Sequence, residues 1–361
     1  LIKTEDVFMK KKAFLFFVIL SVSLASFSLD PVEIYRRPWE EMTREQRREF
    51  WLRRTIQQYE PSGKPSKDKL DFYISIFESK NVFDPKVTVF EVNAEDKEGT
   101  ITLTGEVLIP NHKGGVERVL NILGFDKIEN NINVLPDPGL GKKGFAVALS
   151  PVVSIKRRPS EHSEQMNQLE KGAPLRLLKK DETGQFYLAQ SPDAYVGWVD
   201  AKDIQIMELK QWSLLRKPKG DDSLIKEKII KITKPIMGIP YIWGGTTEQG
   251  VDCSGLTQYI YKELGINLPR DADEQSNIGE IVAFPGYRDN LRAGDLLLFT
   301  GRSGRFSHVA ISLGGMDYLQ SAGKDGVHLS SFDPASPHYD KRTDEKFVFA
   351  RRVLRTNEPL K

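Results

Sequence analysis

The sequence predicts an α+β chain of several modules, and three patterns carry that expectation. Leu256, Ile260 and Leu264 form an i, i+4, i+8 apolar stripe that stops at Gly265, which marks a helix beginning near residue 253. Short runs of apolar alternation recur across residues 145–206 with turn residues between them, as a small β-barrel requires. A strand–strand–helix–strand succession spans residues 87–135. At 361 residues the chain is long enough for two or three domains.

In chain order, Lys10-Lys11-Lys12 precedes an apolar run over 13–20 that continues weakly to Ala25. Ser23 and Ala25 supply small residues at the −3 and −1 positions of a cleavage site, so 1–27 reads as a secretory signal peptide. Met9 is the expected start, with 1–8 as upstream residues. The run is shorter than the roughly 20 apolar residues a membrane span needs. It holds no cysteine, which excludes a bacterial lipoprotein anchor. The expectation is an exported protein, periplasmic or extracellular, with no stable membrane span after cleavage.

Residues 28–140 read as an N-terminal α/β domain. Residues 30–80 look helical, with Thr43 and Gln46 as a capping box, and 61–66 is a Pro/Gly/Ser break. Strands are expected at 87–92 and 100–107, joined near Glu98-Gly99. A helix with Val116, Val119, Leu120 and Leu123 on one face follows, then a strand over 128–135 and a linker at 136–139. Through Thr102-Leu103-Thr104-Gly105 and Glu129-Asn130-Asn131-Ile132 this unit resembles the BON-type domains of bacterial envelopes. No chemistry is assigned to it.

In the barrel, residues 145–155, 173–180, 185–189 and 195–199 carry the alternation. Arg158-Pro159-Ser160, Ser163-Glu164-Gln165 and Tyr195-Val196-Gly197-Trp198-Val199 make the segment 145–206 resemble a bacterial SH3-like domain. Charge points away from nucleic acid, because 52 Lys and Arg nearly balance 50 Asp and Glu.

Cys253 is the only cysteine, so no internal disulfide forms. A lone cysteine can be merely a small buried hydrophobe. Here it starts a helix between the polar residues Asp252 and Ser254, and His308 follows 55 residues later at the head of an alternating run. A thiol at a helix N-terminus near an imidazolium has its pKa lowered to roughly 3.5–7.5, which makes a nucleophile with a base. A three-residue turn sets Ser312 opposite Met316 and His308 opposite Gln320. Gln320 is then either an ordinary strand residue or the group that orients the imidazole. His112, His162, His328 and His338 show no ligand spacing and read as surface or loop residues. No metal and no cofactor are expected.

Six motifs in order carry a second resemblance. They are Pro240-Tyr241-Ile242-Trp243-Gly244-Gly245, Asp252-Cys253-Ser254-Gly255, Leu268-Pro269-Arg270-Asp271 with Gln275, Ala293-Gly294-Asp295-Leu296, Ser307-His308-Val309-Ala310-Ile311 and Tyr318-Leu319-Gln320-Ser321. Over 222–356 the chain resembles the NlpC-type cell-wall cysteine peptidases, which have a papain-like core. The resemblance implies Cys253 as nucleophile, His308 as base and Gln320 where the family more often has histidine. It places the Tyr241 hydroxyl near the oxyanion, with the Cys253 N–H as a second donor. A barrel joined to this core resembles the branch that cuts between γ-D-glutamate and a diamino acid. In that branch the barrel closes the cleft around a free N-terminal L-alanine. Asp252 and Ser254 would then bind the peptide, and Glu161 or Glu164 with Tyr195 would hold the α-ammonium. The expected partners are peptidoglycan stem peptides or muropeptides. A non-catalytic muropeptide-binding envelope protein, or an amidase or acyltransferase on the same fold, stays open.

Overall fold

Helix periodicity builds the first module. In the computed structural model, which describes residues 42–216 and 222–354, α1 (Arg44–Tyr59) and α2 (Leu70–Asn81) flank the expected break. The signal peptide and its start site lie outside the described residues. α2 buries Leu70, Tyr73, Ile74 and Phe77, an i, i+3, i+4, i+7 stripe. That stripe shares a core with Ala94 of β1 (Phe90–Lys97) and Ile101 and Leu103 of β2 (Thr100–Val107). α3 (Pro110–Ile122) then crosses back, and β3 (Ile128–Asn130) and β4 (Asn133–Val134) pair parallel to β2. The single strand expected at 128–135 is therefore broken in two. The Asn130 side chain accepts from the Ile132 N–H at 3.3 Å and turns the chain out of the ladder.

The second module is a seven-stranded antiparallel sheet. Its strands are β5 (Phe145–Ala148), β6 (Val152–Lys156), β7 (Gln165–Glu170), β8 (Pro174–Lys180), β9 (Phe186–Gln190), β10 (Val196–Asp200) and β11 (Ile204–Met207), in the spatial order β11-β5-β8-β9-β10-β6-β7. Every strand contributes to one apolar core, through Ala146, Val153, Leu169, Leu175, Ala189, Val199 and Ile204. The run at 145–155 is two strands, because Pro151 cannot continue a ladder. β7 gives almost no sequence signal, since only Leu169 is buried along it.

The third module is α+β. α4 (Leu209–Leu215) leads to α5 (Ser223–Thr233), and a small hairpin of β12 (Thr246–Thr247) and β13 (Gly250–Val251) precedes α6 (Cys253–Glu263). A six-stranded antiparallel sheet follows. It comprises β14 (Glu280–Ala283), β15 (Ala293–Thr300), β16 (Phe306–Leu313), β17 (Asp317–Ala322), β18 (Gly326–Ser331) and β19 (Phe347–Arg352), ordered β14-β19-β15-β16-β17-β18. Leu256 and Ile260 of α6 pack with Val309 and Ile311 of β16. The opposite face of the sheet buries Phe299, Tyr318, Phe332 and Phe347.

The two leading modules dock at different places on this sheet. The barrel lies on the β14 edge, where the Ile281 N–H donates to the Pro192 carbonyl at 2.7 Å. Trp212 of α4 seals that joint. It packs against Phe145, Phe284 and Tyr287 and donates to the Ala146 carbonyl at 3.2 Å. The N-terminal module instead grips the β15–β16 hairpin. Asn111 Nδ2 donates to Gly301 O at 2.9 Å and to Thr300 Oγ1 at 3.1 Å, and Arg118 Nη1 donates to Arg302 O at 2.9 Å.

His112 sits at this second joint, completely buried, which corrects its reading as a surface or loop histidine. Its ring packs edge-on against Phe77 and Phe90, and burial pulls its pKa down to about 4. Gly304, at φ +86°, meets the ring so closely that a Cβ would overlap it. Among the described residues no helix is long and apolar enough to cross a membrane.

Candidate active site

The start of α6 is a knot of charge-assisted bonds. Asp252 is the N-cap, and its Oδ1 accepts from the Gly255 N–H at 2.7 Å. Oδ2 accepts from the Gly244 N–H at 2.9 Å, which pins the Trp243-Gly244 loop to the helix. Arg270 then grips both carboxylate oxygens, at 2.6 and 3.1 Å, and donates to Ser254 Oγ at 2.8 Å. Gln275 anchors the Arg270 loop by donating to the Pro269 carbonyl at 2.8 Å. The resemblance assigned Asp252 and Ser254 to the peptide. Both line the cleft, but their polar groups are largely engaged within the chain. Arg270, to which the sequence assigned no role, is the residue that holds them.

Cys253 follows directly, 6% exposed. Burial pushes its thiol pKa up, and the Asp252 carboxylate pushes further. The N–H groups of Val309, Ser254 and Cys253 itself oppose that rise. The expected low-pKa thiolate is therefore corrected. The helix N-terminus is present, but its capping carboxylate sits beside a sulfur that is almost fully buried.

The Val309 N–H at the sulfur brings the His308 segment of β16 to Cys253. His308 Nε2 lies 2.7 Å from Gln320 Oε1. An amide oxygen only accepts, so Nε2 carries the proton and Nδ1 keeps its lone pair. Burial lowers the His308 pKa to about 4, against the opposing Gln320 bond. The resting pair is thus a neutral thiol and a neutral imidazole.

The predicted register is wrong by two residues. Ile311 pairs with Leu319 and Ser312 with Tyr318, so His308 is diagonal to Gln320. A shift of two keeps both side chains on one face, which is why the contact still forms. His328, read as a surface or loop residue, stands directly across from Gln320 in β18. His162 and His338 are exposed, as expected.

The cleft has two halves that meet at Ser307. One, ≈ 520 Å³, holds Cys253, Trp243, Arg270 and Arg305. The other, ≈ 450 Å³, holds His308, Gln320, Tyr241 and His328. Tyr241 stands on the bridge it forms with Val251, two residues before Cys253.

The three barrel residues are elsewhere. Glu161 pairs with Lys202 and Glu164 with Arg157, each at 2.7 Å on the barrel surface. Tyr195 lies in the turn whose Pro192 touches the β14 edge. Among the described residues, none from 145–206 lines either half of the cleft. Glu161, Glu164 and Tyr195 therefore do not gather at the cleft as expected: the barrel docks on β14, and β19 and β15 separate β14 from β16.

Residues 238–348 match the NlpC/P60 family, and 155–204 match the bacterial dipeptidyl-peptidase Sh3 domain. The murein DD-endopeptidase MepS/murein LD-carboxypeptidase of Escherichia coli (strain K12) is 39% identical over 132 residues, 36% of this chain and 64% of that protein. The gamma-D-glutamyl-L-lysine dipeptidyl-peptidase of Bacillus cereus is 31% identical over 179 residues, 49% of each chain. The Bacillus subtilis protein of that name is 39% identical over 117 residues, 32% of this chain and 38% of that one. The chain thus spans less than two thirds of the length of each of these relatives. With the site geometry and both matches in hand, residues 238–348 are an NlpC/P60 family domain, preceded by a bacterial SH3 domain of the dipeptidyl-peptidase type.

Proposed function

We propose that the chain is an exported cysteine peptidase that hydrolyses the γ-D-glutamyl–diamino acid bond of peptidoglycan stem peptides. One observation carries the reading above the others. Cys253 opens a helix at the cleft, and the neighbouring imidazole is held by Gln320 in the tautomer that leaves Nδ1 as a base. The two dipeptidyl-peptidase relatives and the SH3 match support the choice of bond.

The chemistry follows from the resting charges. Cys253 Sγ attacks the γ-glutamyl carbonyl carbon while its proton passes to His308 Nδ1. The developing oxyanion meets the Cys253 N–H and the Tyr241 hydroxyl. Collapse breaks the C–N bond, and the proton on Nδ1 goes to the departing amine. A thioester remains. Water, giving a proton to His308 Nδ1, attacks the thioester; collapse releases the γ-glutamyl carboxyl group, and the Nδ1 proton returns to the departing sulfur to restore the thiol. Gln320 stays neutral and positions the ring throughout.

A second reading has its own support. The cleft carries no lining from the barrel, and the core is 39% identical to a murein DD-endopeptidase. An unclosed cleft suits longer or crosslinked peptides. Mass spectrometry of products separates the readings. Release of L-Ala-D-Glu from L-Ala-γ-D-Glu-diaminopimelate is the expected result. An intact tripeptide beside a cut D,D-crosslinked dimer overturns the bond assignment. Binding of both without turnover leaves a muropeptide-binding protein.

A further inference from the structure

We propose that His328 is a positioning residue of this site, fixing which way the Gln320 amide points and so which nitrogen of His308 carries the proton. The inference rests on the reading of His308 as the base.

The oxygen and nitrogen of a glutamine amide are nearly the same size, so shape alone does not orient Gln320. The two orientations have opposite chemistry. With Oε1 toward His308, Nε2 of the imidazole is protonated and Nδ1 is free to take the thiol proton. With the NH₂ toward His308, the imidazole must offer a lone pair at Nε2. Its proton then sits on Nδ1, and the base is lost.

Three groups meet the other end of the amide, and one of them, the Asp340 carboxylate, only accepts and so favours the same orientation as His328. Ser330 Oγ lies 2.8 Å from Gln320 Nε2. A hydroxyl donates or accepts, so it tolerates either orientation. His328 does not. Its Nδ1 lies 2.9 Å from the Gly326 carbonyl, which only accepts, so Nδ1 carries the proton. With that proton on Nδ1, an uncharged ring presents an acceptor at Nε2, 3.3 Å from Gln320 Nε2. That acceptor demands an N–H from Gln320, which turns Oε1 toward His308. The order of donors thus runs from a backbone carbonyl through two side chains to the base.

The backbone holds the anchor still. Gln320 and His328 are direct cross-strand partners in the β17–β18 ladder. Gly326, at φ +60°, lies so close to the Ile239 carbonyl that a Cβ would overlap it, which fixes the carbonyl that sets the His328 tautomer.

The test compares His328→Leu, which has no acceptor, with His328→Gln, which restores one. Long-range ¹⁵N–¹H correlation of the imidazoles in the whole protein reads the His308 tautomer directly. Wild type should show the Nε2–H form. His328→Leu should shift population to the Nδ1–H form and lower kcat by roughly 10- to 100-fold with little change in KM. His328→Gln should restore most of both. An unchanged tautomer and kcat in His328→Leu overturns the proposal. So does His328→Gln behaving as poorly as His328→Leu, since packing alone would then explain the loss. A shifted tautomer in His328→Leu, together with full activity in His308→Ala, would keep the relay and remove the catalytic reading.

Discussion

The N-terminal module and the barrel both precede the NlpC/P60 domain, yet they touch it in ways that reverse the sequence-based expectation. The barrel was expected to wall off the cleft. It docks on β14, with β19 and β15 between it and β16. The N-terminal module was given no chemistry. It grips the 300–305 hairpin, which runs directly into Phe306, Ser307 and His308. Phe306 even lines both the cleft and a separate ≈ 150 Å³ cavity beside His112. An accessory module acts on a site through the strand it braces, and closeness in sequence does not choose that strand.

The largest effects define the floor against which each module is read. Cys253→Ala and His308→Ala should each abolish peptide hydrolysis while leaving the fold intact by circular dichroism. Wild-type turnover in either variant would move the chemistry elsewhere and leave the comparison of modules without a reference point.

The pH profile comes next. With the His308 pKa near 4 and the thiol raised, kcat/KM should rise through about pH 4 and stay level past neutrality. The sign is set by the base, which is competent only when deprotonated, above its lowered pKa. Iodoacetamide should label Cys253 slowly at pH 7 and faster only in alkali. A bell centred near neutrality with fast labelling would mean a thiolate–imidazolium pair already formed at rest.

Loosening the hairpin should have a smaller effect. Asn111→Ala with Arg118→Ala removes three hydrogen bonds to residues 300–302. The cost is about 2 kcal/mol of stability. If the hairpin sets the position of His308, kcat should fall roughly tenfold. The acid limb should also move from about 4 toward the ordinary value of 6.5, as water reaches the ring. A stability loss with an unchanged profile would reduce the N-terminal module to a passive prop.

Local patterns were legible in the sequence, and cross-module choices were not. The stripe at Leu256, Ile260 and Leu264 and the alternation at 308–313 appear as a helix and a strand because each depends on near neighbours. The approach of Gln320 to His308 survived a wrong register because face parity is more robust than pairing. β7 was invisible because it buries almost no apolar residue. The Arg270–Asp252 pair spans 18 residues and carries no periodic signal. The direction of the Cys253 shift depends on how dry the sulfur is, a property of the packed molecule. His112 and His328 were misplaced for a related reason, since ligand spacing says nothing about a histidine that packs or orients another group.

The smallest effects should come from the barrel. Glu161 and Glu164 are more than half exposed and already paired with Lys202 and Arg157. An ammonium held by either would have to displace that lysine or arginine in open solvent, where screening leaves little to gain. Neither carboxylate reaches a wall of the cleft. Glu161→Gln, Glu164→Gln and Tyr195→Ala should therefore each change hydrolysis of L-Ala-γ-D-Glu-diaminopimelate by less than about twofold. The ratio of rates on the free and N-acetylated tripeptides should be the same in all three as in wild type. Any amine preference in wild type must then come from groups lining the cleft itself. A preference that collapses in Tyr195→Ala alone would mean the barrel swings onto the cleft when substrate binds. The comparison of modules would then invert, with the barrel as the part that reads substrate and the N-terminal module as the fixed support.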